Sequence, residues 1–139
     1  MTFVVDASLA AGWFLPDEAT EATTGLARRA GVEGVEGART PDLFWHEVRS
    51  LLVKAYRRQR LDQPDLEAHL DWLEALPLQN VGRGDPRVVA RLALAHGLTA
   101  YESAYLAAAV TSGLPLASLD KALRTAAKAE GVALLPEAW

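Results

Sequence analysis

The sequence predicts an α/β protein: a three-layer α/β/α sandwich around a small central parallel sheet of four to five strands. Three observations predict it. Short apolar runs, beginning with Phe3-Val4-Val5, alternate along the chain with stretches of helical periodicity. That order gives parallel strands joined by helices that cover both faces of a sheet. The alternation runs the length of the chain with no repeat, low-complexity tract or linker, so residues 1–139 read as one domain. Finally, acids recur where an apolar run gives way to a helix, as at Asp6 and Asp120.

The elements follow in order. Residues 2–6 form a short β-branched strand that Asp6 ends. A helical turn covers 7–14 and stops at Pro16, and a second helix is expected over 18–30. Gly31-Val32-Glu33-Gly34-Val35-Glu36-Gly37 then reads as a loop. Residues 38–40 are briefly extended. Over 42–58, Phe44, Val48, Leu51, Leu52 and Ala55 recur at helical spacing. Another helix spans 63–75, with Leu66, Leu70 and Leu73 inward and Pro77 beyond its end. A short strand at 78–81 precedes Asp85-Pro86, which opens a helix because Asp is a good cap and proline suits the first helical position. Gly97 closes that helix. An alanine-rich helix over 99–111 suits close interior packing. A strand at 114–119, a helix at 121–130 and a strand at 132–135 complete the series.

Composition narrows the function classes. Half of the 139 residues are hydrophobic and 23% are charged, the profile of a folded globular chain with a full core. There is no cysteine, which excludes disulfides, thiolate zinc sites and cysteine nucleophiles and fits a reducing cytosol. No run approaches the ~18 apolar residues of a membrane span. The N-terminal apolar run has no basic region before it and ends at Asp6, unlike a signal peptide. The expectation is a soluble, cytoplasmic protein with no membrane partner. A net charge of −4 argues against a broad nucleic-acid surface. Lys54, Arg57, Arg58 and Arg60 form a local basic exception, which a solvated helix end also accounts for, since cations are favoured at helix C-termini.

The acids carry the chemistry. Asp6, Glu47, Glu102 and Asp120 lie far apart in the chain, but the carboxyl ends of parallel strands lie side by side, so they can converge in one pocket. Gathered carboxylates repel unless a cation fills the space between them, and an all-oxygen donor set suits Mg2+ or Mn2+. Asp6, Asp120 and Glu102 are the expected metal ligands, with Glu47 completing the catalytic set. Such an ion lowers the pKa of a bound water and stabilises charge on a phosphoryl oxygen, the requirements of phosphodiester hydrolysis. Each acid also has a structural reading. Asp6 and Asp120 fit helix caps, Thr99-Ala100-Tyr101-Glu102 fits a capping box, and Glu47 fits a solvated helix position. Capping and metal binding are compatible, because a carboxylate has two oxygens and several acceptor sites.

Four groups of other residues bear on function. Ser8 and Ser118 lie two residues from Asp6 and Asp120, where a hydroxyl can hold a carboxylate or a water. Ser50, Lys54 and Arg58 follow Glu47 at helical spacing and would form a phosphate-binding ridge. His46, His69 and His96 have no metal-ligand spacing and read as surface or capping residues. Trp13, Trp45, Trp72 and Trp139 read as core or interface aromatics, with base stacking the lesser alternative.

The segments Val4-Val5-Asp6-Ala7-Ser8, Pro41-Asp42-Leu43-Phe44-Trp45-His46-Glu47-Val48, Leu98-Thr99-Ala100-Tyr101-Glu102-Ser103-Ala104-Tyr105-Leu106-Ala107 and Leu116-Ala117-Ser118-Leu119-Asp120-Lys121-Ala122-Leu123 resemble, in order, the four motif regions of PIN domains, and in particular of VapC-like toxins. The resemblance implies an α/β/α sandwich, a Mg2+- or Mn2+-dependent ribonuclease with RNA as substrate, and acids at Asp6, Glu47, Glu102 and Asp120. It also implies a homodimer and inhibition by a small antitoxin whose C-terminal segment covers the groove. Two positions depart from the pattern. Glu102 stands where Asp is usual, lengthening the reach by about 1.5 Å, and is expected to act through water. Ser50 stands where many relatives have Asn. An aspartyl-phosphate enzyme using Asp6 fits less well, because Ser8 occupies the place of the second acid such phosphatases need. A catalytically degraded PIN-like binding module is the non-enzymatic alternative, with Glu102 as its sign.

Overall fold

A buried β-branched pair, Val4-Val5, forms the central strand of the protein, and everything that positions the acids is built around it. The computed structural model describes residues 2–29 and 38–137. In chain order these contain β1 (Val4–Val5), α1 (Ala7–Phe14), α2 (Glu21–Arg29), β2 (Arg39–Thr40), α3 (Leu43–Arg57), α4 (Gln63–Ala75), β3 (Gln79–Asn80), α5 (Pro86–His96), α6 (Ala100–Ser112), β4 (Leu116–Ala117), α7 (Lys121–Ala129) and β5 (Leu134–Leu135).

The five strands pair in parallel in the order β3-β2-β1-β4-β5. From β1 the chain steps outward to β2 and β3, then crosses back to β4 on the other side of β1, and ends at β5. Right-handed crossovers place α1–α4 on one face and α5–α7 on the other. The packing agrees, with α1 against α2 and α3, α3 against α4, and α6 against α5 and α7. This is the expected three-layer α/β/α arrangement. The connections leave β1 and β4 in opposite directions, so a crevice opens between their carboxyl ends, the usual ligand position in such sheets.

Phe3, Val5, Leu9, Phe14, Phe44, Val48, Leu52, Leu106 and Leu116 are all buried in one hydrophobic core. Each such side chain contributes roughly 1.5–3 kcal/mol of burial. One close approach depends on a missing side chain. A Cβ on Gly12 would stand 2.8 Å from the Thr23 side chain, so α1 and α2 can meet here only because Gly12 has none.

Two expectations need correction. The second helix starts at Glu21, not residue 18. Residues Pro16–Glu18 form a separate 3-10 turn. Thr20 N–H donates to Thr23 Oγ1 (2.8 Å) and Thr23 N–H to Thr20 Oγ1 (3.1 Å), and this reciprocal pair satisfies the donors of a helix starting there. The strands are also shorter than read, since β4 holds only Leu116–Ala117 and β5 only Leu134–Leu135. Pro115 has no N–H to extend β4 backwards, and Asp120 turns the chain into α7 soon after it. Gly31 to Gly37 and Trp139 lie outside the described residues.

The tryptophan reading holds for the described residues, His46 is exposed and His96 ends α5 as expected, but His69 is half-buried against Phe14 rather than at the surface or a helix end. Trp13, Trp45 and Trp72 are half-buried against the core. Trp72 and His69 meet Phe14 edge-on, at ring-centre distances of 4.7 and 5.8 Å. His96 Nε2 lies 2.7 Å from Glu130 Oε2, joining the ends of α5 and α7. Among the described residues no helix is long and apolar enough to cross a membrane.

Candidate functional site

The site begins with register. Val5 pairs with Ala117, and Asp6 N–H donates to Ala117 C=O (3.1 Å), so the chain places Asp6 beside Ser118 at the end of the sheet. Ser118 Oγ donates to Asp6 Oδ2 at 2.5 Å. Ser8 Oγ lies 2.8 and 2.9 Å from the two Asp6 oxygens and accepts the N–H of Leu119 at 3.0 Å. Two serines 110 residues apart thus hold one carboxylate from both sides. Thr40 Oγ1 donates to Val5 C=O (2.7 Å) and fixes the end of β1 from the β2 side.

Asp6, Glu47, Glu102 and Asp120 line a single cavity of about 90 Å³, with Ala7, Ser8, Tyr105 and Leu123 as its other walls. Three of the acids stand at helix N-termini. Asp6 Oδ1 accepts Leu9 N–H (3.0 Å) as the cap of α1. Asp120 Oδ1 accepts Leu123 N–H (2.8 Å) as the cap of α7. Glu102 Oε1 accepts Thr99 N–H (2.8 Å) in the capping box of α6. The capping readings are therefore correct, and they are the means by which the acids are aimed. The free N–H groups and partial positive charge of a helix N-terminus attract a carboxylate placed there. Glu47 has no such end to cap. It sits in the second turn of α3 and accepts a hydrogen bond from Tyr105 Oη at 2.5 Å.

Burial pushes the Asp6 carboxyl up from 3.8 to about 6. Bonds from Ser118, Leu9 N–H and Ser8 pull the other way, and the Asp120 charge adds to the rise. Burial, the Glu47 bond and the charges of Glu47 and Asp6 hold the Tyr105 phenol above its ordinary value, so it stays a donor. The cavity therefore carries negative charge against its preference, and a cation in it would relieve the strain.

Comparison with known proteins agrees with this geometry. The PIN domain family model matches residues 3–129. Ribonuclease VapC3 of Pyrobaculum aerophilum is 35% identical over 127 residues, covering 88% of this chain and 92% of that protein. The chain belongs to the PIN domain family. Two solved structures share the fold. PAE2754 from Pyrobaculum aerophilum superposes with a TM-score of 0.70 at 25% identity, covering 96% of this chain and 83% of that one. FitAcB from Neisseria gonorrhoeae superposes with a TM-score of 0.67 at 16% identity, covering 98% of each chain.

Within this PIN domain the expected residues divide into two groups. Asp6, Glu47, Glu102, Asp120 and Ser8 are brought together in the cavity wall, and Ser118 is buried behind Asp6. Ser50, Lys54 and Arg58 are not among its walls. All three are exposed, because α3 climbs about 1.5 Å per residue and carries them progressively away from Glu47. Two residues of structural weight had been given no role. Tyr105 follows Glu102 by one helical turn, a spacing that puts both on one face. Arg124 is buried and donates to Ser118 C=O (2.9 Å) and Pro136 C=O (2.7 Å), tying the end of β4 to the C-terminal segment. An arginine on the otherwise apolar inner face of α7 was the available signal for it.

The donor set fits a hard divalent cation, being oxygen throughout. The expected trio of Asp6, Asp120 and Glu102 is not assembled for direct ligation, since among the described residues no three such groups are placed to hold one ion together. Both Asp6 oxygens are already engaged by serine hydroxyls, and Glu102 is drawn toward its cap. The fit is to an ion that keeps part of its water shell, as Mg2+ does.

Proposed function

We propose that this PIN domain is a Mg2+- or Mn2+-dependent endoribonuclease that hydrolyses single-stranded RNA. It acts as the toxin of a toxin–antitoxin pair and is neutralised by a small antitoxin covering its groove. The observation that carries the reading is the convergence of four carboxylates, from three helix ends and α3, on one cavity at the crevice between β1 and β4. The family, and a relative named as a ribonuclease over 92% of its length, supply the reaction class.

A cation held through water by Asp6, Asp120 and Glu102 would supply Lewis-acid stabilisation of the phosphoryl oxygens and a more acidic water. The chain's own residues do the rest. Ser8 and Ser118 fix the Asp6 carboxylate. Asp120 Oδ2, Glu102 Oε2 and Glu47 Oε2 have no hydrogen-bond donor among the described residues and are the acceptors for waters in the cavity. Any of them can take the proton that an attacking water gives up, so no protein nucleophile is needed. Ser50, Lys54 and Arg58, exposed further along α3, receive the RNA backbone outside the cavity. The chain works as a single domain in the cytoplasm, as a homodimer. Leu94 and Tyr101, at 86% and 68% exposure, flank the turn between α5 and α6 and support that last point as a contact surface.

The capping-box hold on Glu102 favours a second reading, a degraded module that binds partners without cutting RNA. One experiment separates them. Purified protein is incubated with labelled single-stranded RNA in Mg2+, in EDTA, and as Asp120→Asn, which preserves a good helix cap. Cleavage confined to the parent in Mg2+ supports the nuclease. Cleavage indifferent to EDTA and to the substitution overturns the site. No cleavage and no metal binding by the parent selects the module.

A further inference from the structure

We propose that Tyr105 is a positioning residue for Glu47: its phenol holds one carboxylate oxygen across the rim of the sheet and leaves the other facing the cavity. The inference rests on the reading that the cavity takes a divalent cation.

The four acids are held in two different ways. Backbone N–H groups at helix N-termini pin one oxygen each of Asp6, Asp120 and Glu102, at 3.0, 2.8 and 2.8 Å. Only the first four N–H groups of a helix are free to do this. Glu47 is the fifth residue of α3, so its own turn offers it no donor. A glutamate there has three rotatable side-chain bonds and would spread over several rotamers. Tyr105 removes that freedom. Its residue is 3% exposed and its Oη donates to Glu47 Oε1 at 2.5 Å. The other oxygen, Oε2, has no donor among the described residues.

The bond also joins the two helical layers. Glu47 belongs to α3, on one face of the sheet, and Tyr105 to α6, on the other. They meet beside Asp6 and Ala7, just past the carboxyl end of β1. Tyr105 lies one turn beyond Glu102 on α6, so the same helix sets the reach of two acids. Glu47 lines the cavity with Asp6, Asp120 and Glu102, so it stands in the outer shell of a cation there, and loss of an outer-shell contact typically changes metal affinity by about 10–100-fold.

Tyr105→Phe deletes the hydroxyl and keeps the ring. Mn2+ binding followed by electron paramagnetic resonance should weaken by about tenfold. The Mg2+ concentration for half-maximal RNA cleavage should rise by the same factor, with the KM for RNA unchanged. In a Glu47→Ala background the tyrosine substitution should add nothing further, because coupled residues are not additive. A purely structural role would lower the melting temperature and leave the metal midpoint where it was. Equal Mn2+ affinity in parent and Tyr105→Phe overturns the positioning role while the proposed function stands. A parent that binds no Mn2+ overturns both. If Tyr105→Phe does not fold, the parent carrying 13Cζ-labelled tyrosine decides, since of its three tyrosines only Tyr105 lines the cavity. Its resonance should move on Mg2+ titration, and a resonance that stays still overturns the proposal.

Discussion

Asp6→Asn should make the protein more stable at neutral pH, while abolishing the activity proposed for it. Asp6 is 3% exposed, and burial raises its carboxyl from 3.8 to about 6. Between those two pH values the folded state binds the proton more tightly than the unfolded chain. Stability is therefore fullest below pH 3.8, falls as pH rises through the window, and stays reduced above pH 6. At about 1.4 kcal/mol per pH unit, the ionised carboxylate costs the fold on the order of 3 kcal/mol at pH 7.5. Asparagine removes that cost. Its oxygen can still accept Leu9 N–H, because Asn is as good a cap as Asp, and its NH2 can donate to a rotated serine hydroxyl. Rearranging the Ser8 and Ser118 bonds costs about 1 kcal/mol. The net gain is about 2 kcal/mol, or roughly 6 °C in melting temperature for a domain of this length. The assay is thermal or urea unfolding, followed by circular dichroism in EDTA, at pH 7.5 and pH 4. The gain should be present at pH 7.5 and absent at pH 4, where Asp6 is protonated. A loss of stability at pH 7.5, or an equal change at both pH values, would refute the assignment of a desolvated, ionised Asp6. Adding Mg2+ at about 100 times its dissociation constant should stabilise the parent by about 2.7 kcal/mol and the variant much less.

Other perturbations test neighbouring parts of the account. Ser118→Ala removes the largest contribution that lowers the Asp6 value, so the pH window should move upward and stability at pH 7.5 should fall by about 1.5–3 kcal/mol; unfolding curves across pH measure both. Gly12→Ala drives a methyl into Thr23, and overpacking of about 1–3 kcal/mol should outweigh the helix propensity gained, about 1 kcal/mol. A melting temperature that rises would show that α1 and α2 have slack between them. Leu94→Glu should convert the proposed dimer to monomer in sedimentation without lowering the unfolding midpoint of the monomer, and an unchanged sedimentation profile would move the dimer contact elsewhere.

How much could be read from the sequence depended on whether the signal was local. The β–α alternation, Asp6 and Asp120 at strand ends and the Thr99–Glu102 capping box were legible, because strand propensity, helix caps and apolar spacing act over a few residues. Ser8 beside Asp6 was visible as a two-residue spacing for the same reason. Tyr105 was not legible, since its role exists only when α3 and α6 meet over the sheet rim, 58 residues apart in the chain. The Ser50, Lys54 and Arg58 ridge shared a helix with Glu47, but helix rise carried it out of the cavity, a displacement that angular spacing alone does not express. The start of α2 was misplaced because Pro16-Asp17-Glu18 also looks like a helix start but closes into a 3-10 turn, while Thr20 and Thr23 bond each other at the true start. Strand lengths were overestimated because apolar residues flanking β4 and β5 pack on the core without joining the ladder.

The most direct measurement of the central claim is anomalous diffraction at the manganese edge from crystals soaked in Mn2+. The expected result is a peak inside the cavity walled by Asp6, Glu47, Glu102 and Asp120, and its loss in Asp120→Asn crystals. A peak seated elsewhere, or no peak at a Mn2+ concentration at which the same preparation cleaves RNA, would contradict it.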